Sequence, residues 1–177
     1  MKFKATLAST LLLLTVSAWG QMTPKPGAEV KKLDYFAGTW TTEGTVAQGP
    51  WGPGGKFSST QTEEWMPGEF FVQGHGDFKM PPEIGGDGKS ASFLGYDTDA
   101  NLYTRDEYTS LGRHSSLTGA VSGDTWTWTG SQTYGGQEVK QKLTMKVVSP
   151  ASYTMKFEIS IDGTNWMTFM EGKAAKK

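Results

Sequence analysis

No cysteine occurs in this chain, and that absence removes thiol catalysis, Cys-ligated zinc, iron–sulfur clusters and disulfide cross-links together. Stability has to come from packing. Histidine is scarce too: His75 and His114 are the only two. They show no ligand spacing, and zinc needs three or four converging ligands, so no metal site is expected. Neither sign of charge dominates, with 17 basic side chains against 18 acidic. Long apolar runs are rare. The one at Leu7–Val16 follows Lys2 and Lys4 and precedes Ala18-Trp19-Gly20, the pattern of a signal peptide over residues 1–20 cut before Gln21. It falls short of the ~20 apolar residues of a membrane helix, so no membrane span is expected. Export to the periplasm or the medium is. With no cysteine near the cut, a lipid anchor is not expected. Loss of Lys2 and Lys4 leaves a mildly acidic mature domain, a poor fit to nucleic acid, which calls for a basic footprint.

Period-two patterning is what the chain has in abundance. Residues 21–28 read as an extended linker, because Pro24 and Pro26 block a helix there. Glu29 to Ala37 places Val30, Leu33, Tyr35 and Phe36 on roughly one side, a short amphipathic helical turn ended by Gly38. Trp40, Thr42, Gly44 and Val46 then alternate with more polar neighbours. Phe57–Met66 and Glu69–Phe78 meet about Pro67-Gly68, and Ser90–Tyr96 meets Leu102–Thr109 about an Asp- and Asn-rich turn. Arg113–Val121 and Thr125–Ser131 turn at Ser122-Gly123-Asp124. Val139–Val147, Tyr153–Ile161 and Trp166–Gly172 complete ten strands, the last two joined at Asp162-Gly163. The expected fold is all-β, a single antiparallel up-and-down β-barrel of about ten strands over residues 29–173. A short N-terminal helix precedes it and a basic tail, 174–177, follows. Closure removes exposed edges. In such a meander the turns after odd strands share one end, and there stand the two long glycine-rich loops, Ala47–Gly55 and Lys79–Lys89. That flexible end is expected to be the mouth, and the end with Trp40 and the helix is expected to be tied down.

Gly38-Thr39-Trp40 at the opening of the first strand resembles the Gly-x-Trp corner of lipocalins and related calycin barrels. A longer set of residues adds to it: Trp65-x-Pro67-Gly68-Glu69-Phe70, Leu94-Gly95-Tyr96-Asp97, Thr125-Trp126-Thr127-Trp128 and Ser160-Ile161-Asp162-Gly163. With Leu33 to Thr42, these are similar to an uncharacterised bacterial lipocalin-like (calycin-type) family of domains of unknown function, DUF1579-like, over nearly all of residues 29–173. The resemblance implies the barrel, the structural corner Gly38 and Trp40, and a ligand-holding cavity; it brings no activity. Haem-binding nitrobindin-type barrels share the Gly-x-Trp start and ligate iron through a late histidine. No histidine follows His114 here, so neither haem nor any other cofactor is expected.

Several side chains are candidates for lining a cavity. His75, between Gly74 and Gly76, would bind or shuttle a proton if it faced inward, although binary patterning favours the outer face. His114 reads as a rim residue. Tyr103, Arg105 and Glu107 share one face of their strand, and Leu102, Thr104, Asp106 and Tyr108 share the other, so either orientation puts a charge inside. A charge there is costly unless it is paired or turned toward a ligand. Arg105 is the best polar candidate. Trp126, Trp128, Tyr153, Met155 and Phe157 form aromatic and methionine stripes that serve as core and equally as cavity wall. Trp51 on the first long loop and Trp166 near the mouth would close over a ligand. Asp97-x-Asp99-x-Asn101 opens like a calcium loop, but Leu102 and Tyr108 stand where glycine and a carboxylate are needed, which leaves a hairpin turn. Glu63, Glu64, Asp106 and Glu107 show no paired arrangement beyond strand spacing. No serine sits in a nucleophile elbow and no glycine loop leads into a helix. No catalytic residue is expected.

The leading expectation is therefore an exported protein, monomeric or weakly dimeric, that holds a small apolar or amphipathic molecule in its barrel. Two alternatives stand beside it. One is an enzyme moving protons at His75 or at an inward Arg105/Asp106 pair. The other is a filled barrel serving as a protein-interaction module.

Overall fold

A computed structural model describes residues 25–177; the expected signal peptide lies outside the described residues. Strands form wherever the sequence alternates, and each pairs antiparallel with the next. They are β1 (Gly38–Val46), β2 (Gly55–Trp65), β3 (Val72–Lys79), β4 (Gly88–Asp97), β5 (Leu102–Thr109), β6 (His114–Ser122), β7 (Thr125–Tyr134), β8 (Gln137–Ser149), β9 (Ser152–Ser160) and β10 (Met167–Lys176). β10 returns to pair with β1, so the ten strands close into a barrel with no free edge. Among the described residues, no helix is long and apolar enough to cross a membrane.

β10 continues beyond the expected end of the domain. Residues 174–176 pair with β1, Ala174 opposite Thr42 and Lys176 opposite Trp40. Ala174 is buried, and the Lys176 ammonium sits 5.1 Å from the centre of the Trp40 ring. A lysine at a chain end reads as solvated, yet its stem can lie along an aromatic face while its charge stays in water. The expected basic tail therefore forms part of the barrel seam. At that seam Gly44 faces Gly172, and a Cβ on Gly44 would strike the Glu171 carbonyl and the Phe57 ring.

The N-terminal segment is tighter than an α-helix. One turn, α1 (Ala28–Lys31), passes directly into a 3-10 turn at Lys32–Tyr35. Three residues per turn eclipse positions three apart, and Val30, Leu33 and Phe36 are all buried. Leu33 and Phe36 enter the end of the barrel among Val72, Leu94, Tyr103 and Trp126, with the Phe36 and Trp126 rings 5.0 Å apart edge-to-face. Polar ties fix this plug. Trp40 Nε1 donates to the Phe36 carbonyl at 2.8 Å, Trp65 Nε1 donates to Asp34 at 3.1 Å, and the Tyr103 hydroxyl donates to Glu29 at 2.7 Å. An isolated helix this short does not form in water; packing on the barrel holds it.

The connections follow the expected parity. The plugged end carries the turns after β2, β4, β6 and β8. The Asp97 carboxylate accepts from the Asp99 and Ala100 amides at 2.9 Å each, the self-capping of an Asx turn. The opposite end carries the loops after β1 and β3, the latter with a 3-10 turn at Pro82–Ile84. Side chains pack the plugged half of the barrel solidly, and the other half is partly open.

Candidate functional site

Strand parity brings five polar side chains together inside the barrel. On β5, Tyr103, Arg105 and Glu107 face inward. Tyr103 belongs to the plugged half, and Arg105 donates through Nη2 to Glu107 Oε2 at 3.2 Å. On β2, Phe57, Ser59, Gln61, Glu63 and Trp65 share the inner face, and Glu63 is only 6% exposed. Ser92 on β4 is wholly buried between them. A short relay results, in which Gln61 Nε2 donates to Ser92 Oγ at 2.9 Å and Ser92 donates to Glu63 Oε1 at 3.2 Å. Gly74 on β3 makes the space, since a Cβ there would strike both Glu63 and Ser92. The second carboxylate oxygen of Glu63, Oε2, is buried without a hydrogen-bond partner.

Electrostatics follow from this placement. Burial pushes Glu63 up from 4.5 to about 7, against the pull of Arg105 and the Ser92 hydrogen bond and with the push of Glu107. Burial works against the charge on Arg105, but Glu107 and Glu63 more than offset it and hold the guanidinium charged. Burial raises Tyr153 also, against the pull of Arg105 and a hydrogen bond to Thr42, and keeps its hydroxyl protonated.

Above this cluster lies a cavity of about 280 Å³, at the small end of the ~300–1,000 Å³ of ligand sites. Its polar lining comes from Thr42, Ser59, Gln61, Arg105, Glu107 and Tyr153, and its apolar wall is built chiefly from Phe57, Phe78, Leu143, Met145, Met155 and Met170. Ile84 from the loop after β3, with Leu111 and Arg113 from the turn after β5, stand at the mouth. The entrance is therefore at the flexible end. On the β6–β8 side that end is closed by a glutamine network, in which Gln141 bonds Gln132 at 3.1 Å and Ser115 at 3.3 Å. A wider saddle across β1, β2, β9 and β10 carries Lys56, Lys156 and Lys173. It is open to solvent and would desolvate little of a small ligand, so the interior cavity is the better candidate.

The residues singled out in the sequence separate into groups. Arg105, Tyr153 and Met155 line the cavity together. Trp126 and Trp128 are buried in the plugged half, their rings stacked 5.8 Å apart and packed on Tyr103. Phe157 lies against Phe169, which a β10 bulge between Thr168 and Met170 redirects, and Trp51 meets Phe169 from the other side at 5.4 Å. Trp166 rests on the outer surface beneath the Lys142 ammonium, 4.4 Å away. His75 is exposed. Asp106 points outward and meets His114 at 3.5 Å, so the envisaged inward Arg105/Asp106 pair does not exist; the inward partner of Arg105 is Glu107. Gly38 and Trp40 form the corner against the plug. Among the described residues no three His, Cys, Asp or Glu side chains gather to hold a metal.

Glu63 is the member that sequence reasoning passed over. Its parity with Phe57 and Trp65 was the available signal.

A family model described as "Protein of unknown function (DUF1579)" matches residues 25–176, from the N-terminal plug to the last residue of β10. The chain belongs to the DUF1579 family. Among solved structures, the crystal structure of Rv2717c from M. tuberculosis is similar to this DUF1579 barrel with a TM-score of 0.62, over 85% of this chain and 98% of that one, at 10% identity. At that identity the likeness is one of fold. No curated protein matches the DUF1579 chain.

Proposed function

We propose that this DUF1579 protein is an exported binding protein that holds a small amphipathic molecule in the open half of its barrel. One observation carries the reading: a mouth-accessible cavity with a methionine and aromatic wall ends on a charged arginine largely withdrawn from solvent. Arginine has five N–H donors, and the structure gives Arg105 one hydrogen bond, to Glu107. A guanidinium largely withdrawn from water with donors to spare is costly unless something pairs with it. The apolar wall supplies desolvation and the polar floor sets orientation. The cavity volume limits the guest to a ring system or a short chain.

The experiment is native mass spectrometry of the chain from Gln21 onward, followed by denaturing extraction and identification of released small molecules. A co-purified amphiphile near one-to-one supports the reading. A protein that is empty, and whose tryptophan fluorescence no apolar probe alters, refutes it and leaves the filled, interaction-module barrel. A proton-transfer enzyme is the second reading, and the site that favours it is Glu63, in the field of Arg105, rather than His75, since a buried carboxyl pushed up to about 7 and linked through Ser92 to the cavity residue Gln61 suits acid–base work.

A further inference from the structure

Charge counting at the floor of this cavity goes a step further than ligand binding in general, and rests on that reading. The side chains that line the cavity include two cations, Arg105 and Arg113, and one anion, Glu107. The lining itself is thus positive, and the free guanidinium edge of Arg105 fits a planar oxyanion best, because its paired N–H groups match the two oxygens of a carboxylate. Behind the lining the balance reverses. Glu63 stands within the field of Arg105 with one oxygen held by Ser92 and the other unpartnered. A bound carboxylate would make three anionic groups, its own with Glu63 and Glu107, around the single guanidinium of Arg105. Two carboxylates close together do not both stay ionised when a proton can relieve them.

We propose that the cavity takes a small monocarboxylate together with one proton, the carboxylate resting on Arg105, the apolar body on the methionine wall, and the proton on Glu63. The groups facing Glu63 are Ser92 on β4, Arg105 and Glu107 on β5, Tyr153 on β9 and Gln61 on its own strand. Arg105 carries its charge and Tyr153 its proton throughout the neutral range, and Glu107 accepts a hydrogen bond from Arg105. Glu63, buried with one carboxylate oxygen unpartnered, takes the proton. Its unpartnered Oε2 is where protonation relieves most, since a neutral carboxyl oxygen is cheaper to bury than half of a carboxylate. The proton comes from bulk water, and no bond in the ligand breaks.

The coupling has a defined sign. A bound anion raises the proton affinity of Glu63 further, so binding draws a proton in, and by linkage proton loss weakens binding. Above about pH 7, affinity for the carboxylate falls by up to tenfold per pH unit.

The test uses the chain from Gln21 onward with hexanoate as probe and 1-hexanol as its uncharged counterpart. Isothermal titration calorimetry at about pH 8, in two buffers of different ionisation enthalpy, counts the protons taken up. The expected result is close to one proton per hexanoate, affinity dropping between about pH 7 and 9, and no such drop for 1-hexanol. Glu63→Gln is expected to bind hexanoate with no proton uptake and a flat pH profile. Hexanoate binding without proton uptake in the unsubstituted protein overturns the proposal, and so does a Glu63→Gln protein that keeps the pH dependence. If 1-hexanol binds and hexanoate does not, the carboxylate assignment falls while the binding reading stands. If neither binds, both fall.

Discussion

Exchanging Glu63 for glutamine keeps the side chain's shape and removes its titration, so the pH dependence of folding isolates what burial does to this one group. Glu63 titrates at 4.5 when solvated and at about 7 in the folded barrel. The folded state therefore binds the proton more tightly than the unfolded state. Stability from this group is fully present below about pH 4.5, declines as pH rises through the window between those two values, and is gone above about pH 7. At ~1.4 kcal/mol per pH unit, the window contributes on the order of 3 kcal/mol. Chemical denaturation in urea at fixed pH values from about 4 to 8.5 supplies both unfolding curves, and their difference cancels every carboxylate common to the two proteins. The glutamine variant is expected to gain about 3 kcal/mol on the unsubstituted protein between the ends of that range. At acid pH the two should be similar, with a small loss if the glutamine amide cannot bond Ser92. A difference that stays constant across the range would refute the reasoning, because it would mean Glu63 titrates in the barrel as it does in water.

Other perturbations test the plug and the outer wall. Phe36→Ala withdraws a buried ring from between Trp126 and Tyr35; a cost of ~3–5 kcal/mol is expected, seen in thermal melts as a fall in Tm of roughly 10 °C. Trp40→Phe removes the donor that satisfies the Phe36 carbonyl and leaves a buried acceptor unpaired, at ~1–3 kcal/mol by urea denaturation; a cost below ~0.5 kcal/mol would show that the corner bond contributes nothing. His75→Ala on the exposed face of β3 is expected to change stability by less than ~0.5 kcal/mol and to leave calorimetric hexanoate binding as it is.

Most of the barrel could be read from alternation alone, because a closed meander makes every strand obey one rule: apolar or small inward, polar outward. Trp40, Thr42 and Val46 obey it on β1 and Val139, Leu143 and Met145 obey it on β8. The same rule concealed the site. Charged residues ordinarily mark the outer face, so Glu63 between Gln61 and Trp65 carried the right parity and the wrong chemistry to be taken as interior. Arg105 stood out only because both faces of β5 carry charge. Two further features depend on partners far along the chain. Ala174 and Lys176 gain their strand from β1, 136 positions back from Lys176 at Trp40. Phe169 gains its direction from a bulge set by β9. The sequence showed a short amphipathic turn at Val30, Leu33, Tyr35 and Phe36, and the structure draws its second half into a 3-10 turn that sets Val30, Leu33 and Phe36 in line.

The division of the interior explains how one small barrel tolerates a charged, partly empty centre. Tyr103, Trp126, Trp128, Leu33 and Phe36 fill the plugged half with large buried side chains, and aromatic packing of that kind dominates core energetics. That half can hold the fold while the other keeps a cavity and an incompletely paired arginine. The two halves meet at Glu63, which touches the relay to Ser92 and Gln61 on one side and the field of Arg105 on the other. Its proton is therefore shared between two accounts of the same molecule: lost, it strains the core around Gly74 and Ser92; kept, it leaves Arg105 free to hold an anion. A ligand that favours the protonated form should for that reason raise the unfolding temperature less at about pH 8, where its binding must first draw a proton in, than at about pH 5, where Glu63 already carries its proton.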